Sequence, residues 1–288
     1  MWLLYAFGSA FFAGVTAILA KNGIRQTDSN VATAIRTIIV LVFAWLLVFI
    51  LGLQREIRSI DALTFVFLIL SGLATGASWL CYFRALQLGS VNKVVPVDKA
   101  SIVLTVILAS MFLGEEITLI RAAGILLIAM GTYAMVEKKP EAGDTETPQS
   151  YKWLFYAVFA AVFASLTAIL GKLGISGVNS NLGTAIRTIV VLLMAWFFVF
   201  VTGKYRTLRR LNMHDLFYIC LSGIATGISW LCYYKALQDG PAILVVPIDK
   251  LSIVVTVLFS VFIFHEKLSR KALIGLIALV AGTLLLLV

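Results

Sequence analysis

The chain has 288 residues, of which 61% are hydrophobic and 13% charged, and a mean hydropathy of +1.02. A soluble domain is nearer ~45–50% apolar and ~25% charged, so the composition excludes an ordinary soluble protein and reads as a membrane protein. The net charge of +9 points to no nucleic-acid partner, because the cations lie in short gaps between apolar runs and form no basic stripe.

A spanning helix takes ~20 mostly apolar residues. The pattern predicts ten in chain order: 2–20, 33–52, 64–86, 94–113, 119–136, 153–171, 184–203, 215–237, 245–264 and 270–288. The first run, MWLLYAFGSAFFAGVTAILAK, has no positive stretch before its apolar core and reads as a membrane helix, not a cleaved signal. Residues 137–150, EKKPEAGDTETPQS, are polar and charged and read as a flexible solvated linker. Cys81, Cys220 and Cys232 sit in apolar context, with neither a disulfide framework nor metal-ligand spacing, and no cofactor is expected.

The chain repeats itself. TAIRTI at 33–38 returns at 184–189, and SGLATGASWLCYFRALQLG at 71–89 is answered by SGIATGISWLCYYKALQDG at 222–240. The offset is 151 from Trp2/Trp153 to Thr132/Thr283, and nearly half the paired residues are identical. The expected domains are a five-helix unit over 1–136, the linker over 137–150 and a second unit over 151–288. Five is odd, so the second unit enters the membrane from the opposite side. The expected architecture is all-α, ten transmembrane helices in an inverted five-plus-five repeat, the plan of many secondary transporters.

Cations matched by the repeat, such as Lys21/Lys172, Arg55/Arg206, Arg58/Arg209 and Arg84/Lys235, cancel in setting orientation. The unmatched ones decide it. Arg25, Lys93, Lys138, Lys139, Lys152, Lys204, Arg210, Lys267, Arg270 and Lys271 lie on one side and essentially Arg121 on the other. The crowded side is the cytoplasmic one, so the linker is cytoplasmic and both termini are outside a bacterial-type inner membrane.

A lone Glu closes the fourth helix of each unit (FLGEE 112–116, FHEK 264–267), and the fifth is glycine-spaced (GILLIAMGT 124–132, GLIALVAGT 275–283). In these features the chain resembles the EamA domain of the drug/metabolite transporter superfamily, one domain per unit. The resemblance implies a proton- or exchange-coupled carrier of small metabolites, with a cavity lined by helices 1, 3 and 4 of each unit. It also implies cytoplasmic termini, against the charge pattern. The small multidrug resistance branch would use a mid-span acid in helix 1, and Ala6 to Ala20 and Ala157 to Gly171 contain none. Lipophilic cations are thereby disfavoured.

Ionisable residues inside spans cost about 2.5–3.5 kcal/mol each at mid-helix and are functional candidates by default. Unit one offers Lys21, Arg36, Asp98 and Lys99, and unit two offers Lys172, Arg187, Asp249 and Lys250. The helix order places each set near one mouth, in keeping with gating or proton coupling. Asp98 and Asp249, in VVPVDK and VVPIDK, would sit in the first turns of helix 4, and a cation across the bundle would neutralise each. Pro96 and Pro247 fit a helix start, where the missing N–H is unpaired anyway. Equally, these pairs would tie helix ends together, with the lysines reaching to the interface. Glu115 and Glu266 read as interfacial or packing residues.

Helix 3 carries Ser78, Trp79 and Tyr82, repeated as Ser229, Trp230 and Tyr233. Rings with a polar tip suit a ligand site, and these lie deeper than a headgroup belt. Ser101 and Ser252 of helix 4 would add hydroxyls to the same substrate-binding set. Gly72, Gly76, Gly223 and Gly227 have small-xxx-small spacing, which close helix packing explains. No GxxxxGK[ST] phosphate loop exists, so ATP is not the direct driver. The leading reading is a non-enzymatic secondary transporter of a small polar metabolite, anionic or zwitterionic, by alternating access, functional as a monomer in the lipid bilayer. The alternatives are a lipid-handling, flippase-like protein and a multidrug or cationic amine exporter.

Overall fold

Capping residues and glycines set where the helices begin and end. The computed structural model describes residues 1–23, 27–88, 94, 97–98, 101–135, 152–264 and 269–287. Among them it has eleven α-helices, two short 3₁₀ segments and no strand. The first unit supplies α1 (Trp2–Gly23), α2 (Ser29–Ile50), α3 (Ala62–Leu88), α4 (Ser101–Leu113) and α5 (Leu119–Met135). The second supplies α6 (Lys152–Ile175), α7 (Ser180–Val201), α8 (Met213–Asp239), α9 (Ala242–Asp249), α10 (Ser252–Phe264) and α11 (Arg270–Leu286). Among the described residues, seven helical stretches are long and apolar enough to cross a membrane. Large apolar side chains such as Leu46, Phe49, Phe197 and Phe200 cover the outside, a surface suited to acyl chains.

The repeat is visible in the caps. Asp28 and its counterpart Asn179 accept the amides of Asn30 and Asn181, each at 3.0 Å, satisfying one orphan N–H at the starts of α2 and α7. Gly52 (φ +70°) and Gly203 (φ +68°) follow the same two helices in the left-handed region open to glycine. They turn the chain into the 3₁₀ segments Leu53–Ser59 and Lys204–Arg210.

The units interlock reciprocally. α1 packs on α8 and α6 on α3, while α2 faces α7 and α5 faces α11. A β-carbon at Gly72 would stand 2.7 Å from Val190 Cβ, and one at Gly223 the same 2.7 Å from Ile39 Cβ. Only glycine admits so close an approach of α3 to α7 and of α8 to α2. Trp2 packs against Gly240, and Leu286 against Gly124. Both chain termini therefore lie at the bundle end where α4 finishes and α9 begins, here the Glu115 end.

Helix 4 of the second unit departs from the single span expected over 245–264. It begins earlier, at Ala242, after Pro241. Pro247 is its sixth residue, not a first-turn proline, and the helix stops at Asp249. The break closes with i→i−3 bonds, Leu251 N to Ile248 O at 2.9 Å and Val254 N to Leu251 O at 2.9 Å. A proline at that depth removes one i→i−4 bond and crowds the carbonyl of residue i−4, here Ile243. The chain answers by ending α9 and restarting as α10. Pro96 lies outside the described residues.

Candidate functional site

The break puts Asp249 and Lys250 inside the bundle. They border a cavity of about 420 Å³ between the two units. α1 and α6 contribute Ser9, Thr16 and Thr167; α3 and α8 contribute Thr75, Ser78, Trp79 and their counterparts Thr226, Ser229, Trp230, with Tyr233 and Tyr234. α2 and α7 contribute Arg36 and Arg187. Reciprocal packing causes this, since each unit's helix 1 lies beside the other's helix 3 and their inner faces meet.

Paired hydroxyls cross the interface. Thr226 donates to Thr16 at 3.3 Å and Thr75 to Thr167 at 3.4 Å, each also bonded to a carbonyl in its own helix. Asp249 Oδ1 accepts from Ser9 Oγ at 2.6 Å. Ser9 is in turn 3.4 Å from the hydroxyl of Ser229, which donates to the Ser9 carbonyl at 3.1 Å. This network fixes the carboxylate at mid-bundle depth. No ion pair joins Asp249 to a described cation within 4.0 Å.

Arg187 is 1% exposed. Its Nη2 donates to Thr75 Oγ1 at 2.7 Å and its Nε to Ser71 Oγ at 3.3 Å. Its guanidinium lies 4.5 Å from the Tyr234 ring centre and 5.3 Å from that of Trp230. Such desolvated cation–π contacts contribute up to about 2 kcal/mol. Arg36 is half-buried and donates to Thr33 Oγ1 at 3.4 Å.

At the Glu115 end a cross-unit cluster ties the two units together. Lys172 Nζ donates to Glu115 Oε1 at 2.8 Å and to the Gly240 carbonyl at 2.7 Å. Glu115 also accepts the amides of Ala242 (2.7 Å) and Ile243 (2.7 Å), the first two residues of α9. The carboxylate thus meets both a cation and the positive end of a helix dipole. Glu115, expected as an interfacial or packing residue, is instead the hub between α4, α6 and α9. The partner of Lys172 is this glutamate and not Asp249.

Of the residues expected to bind substrate, Ser78, Trp79, Ser229, Trp230 and Tyr233 line the main cavity. Ser252 lines a smaller cavity of about 180 Å³, reached past Lys250, which borders both. Ser101 is buried, and its carbonyl accepts from Ser165 at 2.9 Å and Thr105 at 2.8 Å. Tyr82 packs with Ala85, Val94 and Ala157, close to half-buried Asp98. Of the gating set, Arg36, Arg187, Asp249 and Lys250 border the cavity and Lys172 pairs with Glu115 outside it. Lys99 and the side chain of Lys21 lie outside the described residues. Sequence reasoning missed Ser9, Ser71 and Tyr234. Two of these break the repeat, with Ala160 standing opposite Ser9 and Phe83 opposite Tyr234.

The sequence profile of the EamA-like transporter family matches residues 1–136 and 151–288. An uncharacterised transporter encoded in the cobO 3′ region of a Sinorhizobium species is 46% identical over 137 residues, 48% of this chain and 97% of that one. An uncharacterised protein of Methanocaldococcus jannaschii is 30% identical over 83 residues, 29% of this chain and 61% of that one. A protein solved by crystallography shares the fold at a TM-score of 0.74 and 18% identity, over 98% of this chain and 94% of the other.

Proposed function

The chain belongs to the EamA-like transporter family, and from that premise we propose that it is a secondary carrier moving a small anionic or zwitterionic metabolite by alternating access. The observation that carries the reading is the cavity between the units, which holds two arginines, one hydroxyl-bound carboxylate and two tryptophans. Excess cationic charge attracts an anion, Asp249 suits an ammonium group or a coupling proton, and the rings supply apolar area.

The units act as an inverted five-plus-five repeat of ten spans, which the reciprocal helix pairing supports. Exchanging the two units' conformations then exchanges which end is open. The cluster at Glu115 and Lys172 is the closed gate of this state. The excess of unmatched cations on the linker side supports an orientation with the Glu115 end outside a bacterial inner membrane and the linker in the cytoplasm. The functional unit is a monomer, since both repeats reside in one chain.

Purified protein is to be screened by thermal shift against amino acids, organic acids, nucleosides and amines. Hits then go to flux in proteoliposomes at varied pH. Stabilisation by carboxylate-bearing solutes, followed by their flux, is the expected result; stabilisation by cations alone refutes the solute class. A terminal tag reached only from the cytoplasm would reverse the orientation.

A further inference from the structure

Arg36 and Arg187 are the same residue of the repeat, 151 positions apart in TAIRTI, yet the cavity treats them differently. Arg187 is gripped from two sides, by Ser71 and Thr75 of the opposite unit and by the rings of Trp230 and Tyr234 of its own. The residues that would grip Arg36 in the same way are Ser222 and Thr226, and neither does. Ser222 Oγ donates to Ile219 O at 2.7 Å within α8. Thr226 bonds back to Ser222 O as Thr75 does to Ser71 O, but only Thr75 also accepts from an arginine among the described contacts. Ser71 instead reaches across to the Thr167 carbonyl at 2.9 Å. Arg36 keeps its one hydrogen bond among the described residues, at 3.4 Å to Thr33 on its own helix.

The distance between helices does not explain this. A β-carbon at Gly72 would lie 3.0 Å from the Arg187 carbonyl oxygen, and one at Gly223 would lie 3.1 Å from that of Arg36. The two backbones approach equally closely. What differs is which arginine is docked.

We propose that Arg36 binds the carboxylate of the transported solute in this state, that Arg187 is its docked counterpart, and that the two exchange roles when the carrier turns over. This deepens the reading above and rests on it. A guanidinium has five N–H donors in a planar fork that matches a carboxylate bidentately. Arg187 has committed donors and both neighbouring rings to the protein. Arg36 has not: it borders the cavity half-buried, with a 3.4 Å hydrogen bond to Thr33 on its own helix. The same cavity contains Asp249, which repels a dianion and favours a solute with its own ammonium group. The solute is therefore a zwitterion or a monocarboxylate, small enough for about 420 Å³.

The decisive experiment labels the wild-type protein in detergent with phenylglyoxal and reads each arginine by peptide mass spectrometry. It runs alone, with a pool of α-amino acids and short monocarboxylates, with a pool of amines, and with inorganic phosphate. Arg36 should react about tenfold faster than Arg187, and the carboxylate pool alone should protect it, as expected for a charge-assisted contact. Equal reaction of the two arginines, or no protection of Arg36 by the carboxylate pool, overturns the assignment. Arg36→Gln should lose solute-induced stabilisation with little change in the ligand-free melting temperature, whereas Arg187→Gln should lower that temperature. Solute binding retained by Arg36→Gln also overturns it. The transport reading fails separately, when Arg36 is protected and yet proteoliposomes show no flux.

Discussion

Replacing Glu115 by Gln removes one charge from a cluster that joins three helices of two units. The wild-type carboxylate takes three short contacts, from Lys172 Nζ at 2.8 Å and from the Ala242 and Ile243 amides at 2.7 Å. Glutamine retains an acceptor for one amide, but it leaves the Lys172 ammonium with only the Gly240 carbonyl and the start of α9 with no anion. Hydrogen bonds to charged groups contribute ~1.5–3 kcal/mol net. Breaking a fully buried pair costs ~3–5 kcal/mol. The side chains of Lys172 and Glu115 are 19% and 11% exposed, which brings the expected loss to about 2 kcal/mol. If the cluster exists only in the state closed at this end, that loss shifts the closed-to-open ratio roughly 30-fold. Spin labels at Ile117→Cys and Ser176→Cys, both exposed and on opposite sides of the cluster, read the shift as a longer distance by double electron–electron resonance. Cys81, Cys220 and Cys232 are first replaced. Lys172→Met should give the same change, and the double variant no more than either single one, since contacting partners are strongly non-additive. An unchanged distance distribution in Glu115→Gln, or additive effects in the cycle, refutes a gate here.

Three further outcomes follow from the geometry. Asp249→Asn keeps the shape of the helix break but removes the cavity carboxylate. It should cut flux at least about tenfold, with Ser9→Ala falling between it and wild type in the same assay. Gly72→Leu and Gly223→Leu drive a side chain into Val190 or Ile39 at positions already under 3.0 Å. Each should cost several kcal/mol or prevent folding, read as lost monodispersity on size exclusion. At the start of α3 the exposed carboxyl of Asp61 is held below the ordinary carboxylate range, first by the Leu63 amide and then by Thr64. Its folded-state value is the lower one, so its stabilisation is present above the unfolded value of ~3.9 and fades as pH falls through the folded one. Asp61→Ala should therefore lower the melting temperature at neutral pH, with the gap to wild type closing in acid.

The repeat and the aromatic face of helix 3 were legible because they rest on local patterns: period, offset and the depth of Trp79 and Trp230 in an apolar run. The break in helix 4 was not. Hydropathy runs unbroken from Ala242 to Phe264, and a proline near the front of a run fits a helix start as well as an interruption. The deciding fact is where the helix begins, and that is set by Glu115, more than 120 residues away, which binds the amides of Ala242 and Ile243. Pro241 was a local clue, since a second proline six residues before Pro247 competes for the starting position. Counting from Ala242 moves Asp249 from the mouth into the cavity. The neighbours Asp249 and Lys250 were not expected to pair with each other, and Asp249 is bound by Ser9 while Lys250 also borders the second, smaller cavity.

A duplicated chain carries its own internal control, because positions where the copies agree serve the shared fold and positions where they diverge distinguish one half from the other. The glycines of α3 and α8, Gly52 and Gly203 after α2 and α7, the two arginines and the two tryptophans agree. Two of the divergent positions lie beside cavity charges. Ser9 faces Asp249 whereas Ala160 holds the equivalent place in the second unit, and Tyr234 covers Arg187 whereas Phe83 stands opposite. A symmetric carrier of a symmetric solute needs neither difference. On the proposed reading the solute is a zwitterion with two unlike ends, and the Ser9 hydroxyl on Asp249, replaced by Ala at position 160, gives the cavity a feature that the repeat does not mirror. The identical positions then serve the fold that the two units share, and the divergent ones let the site read the solute's polarity.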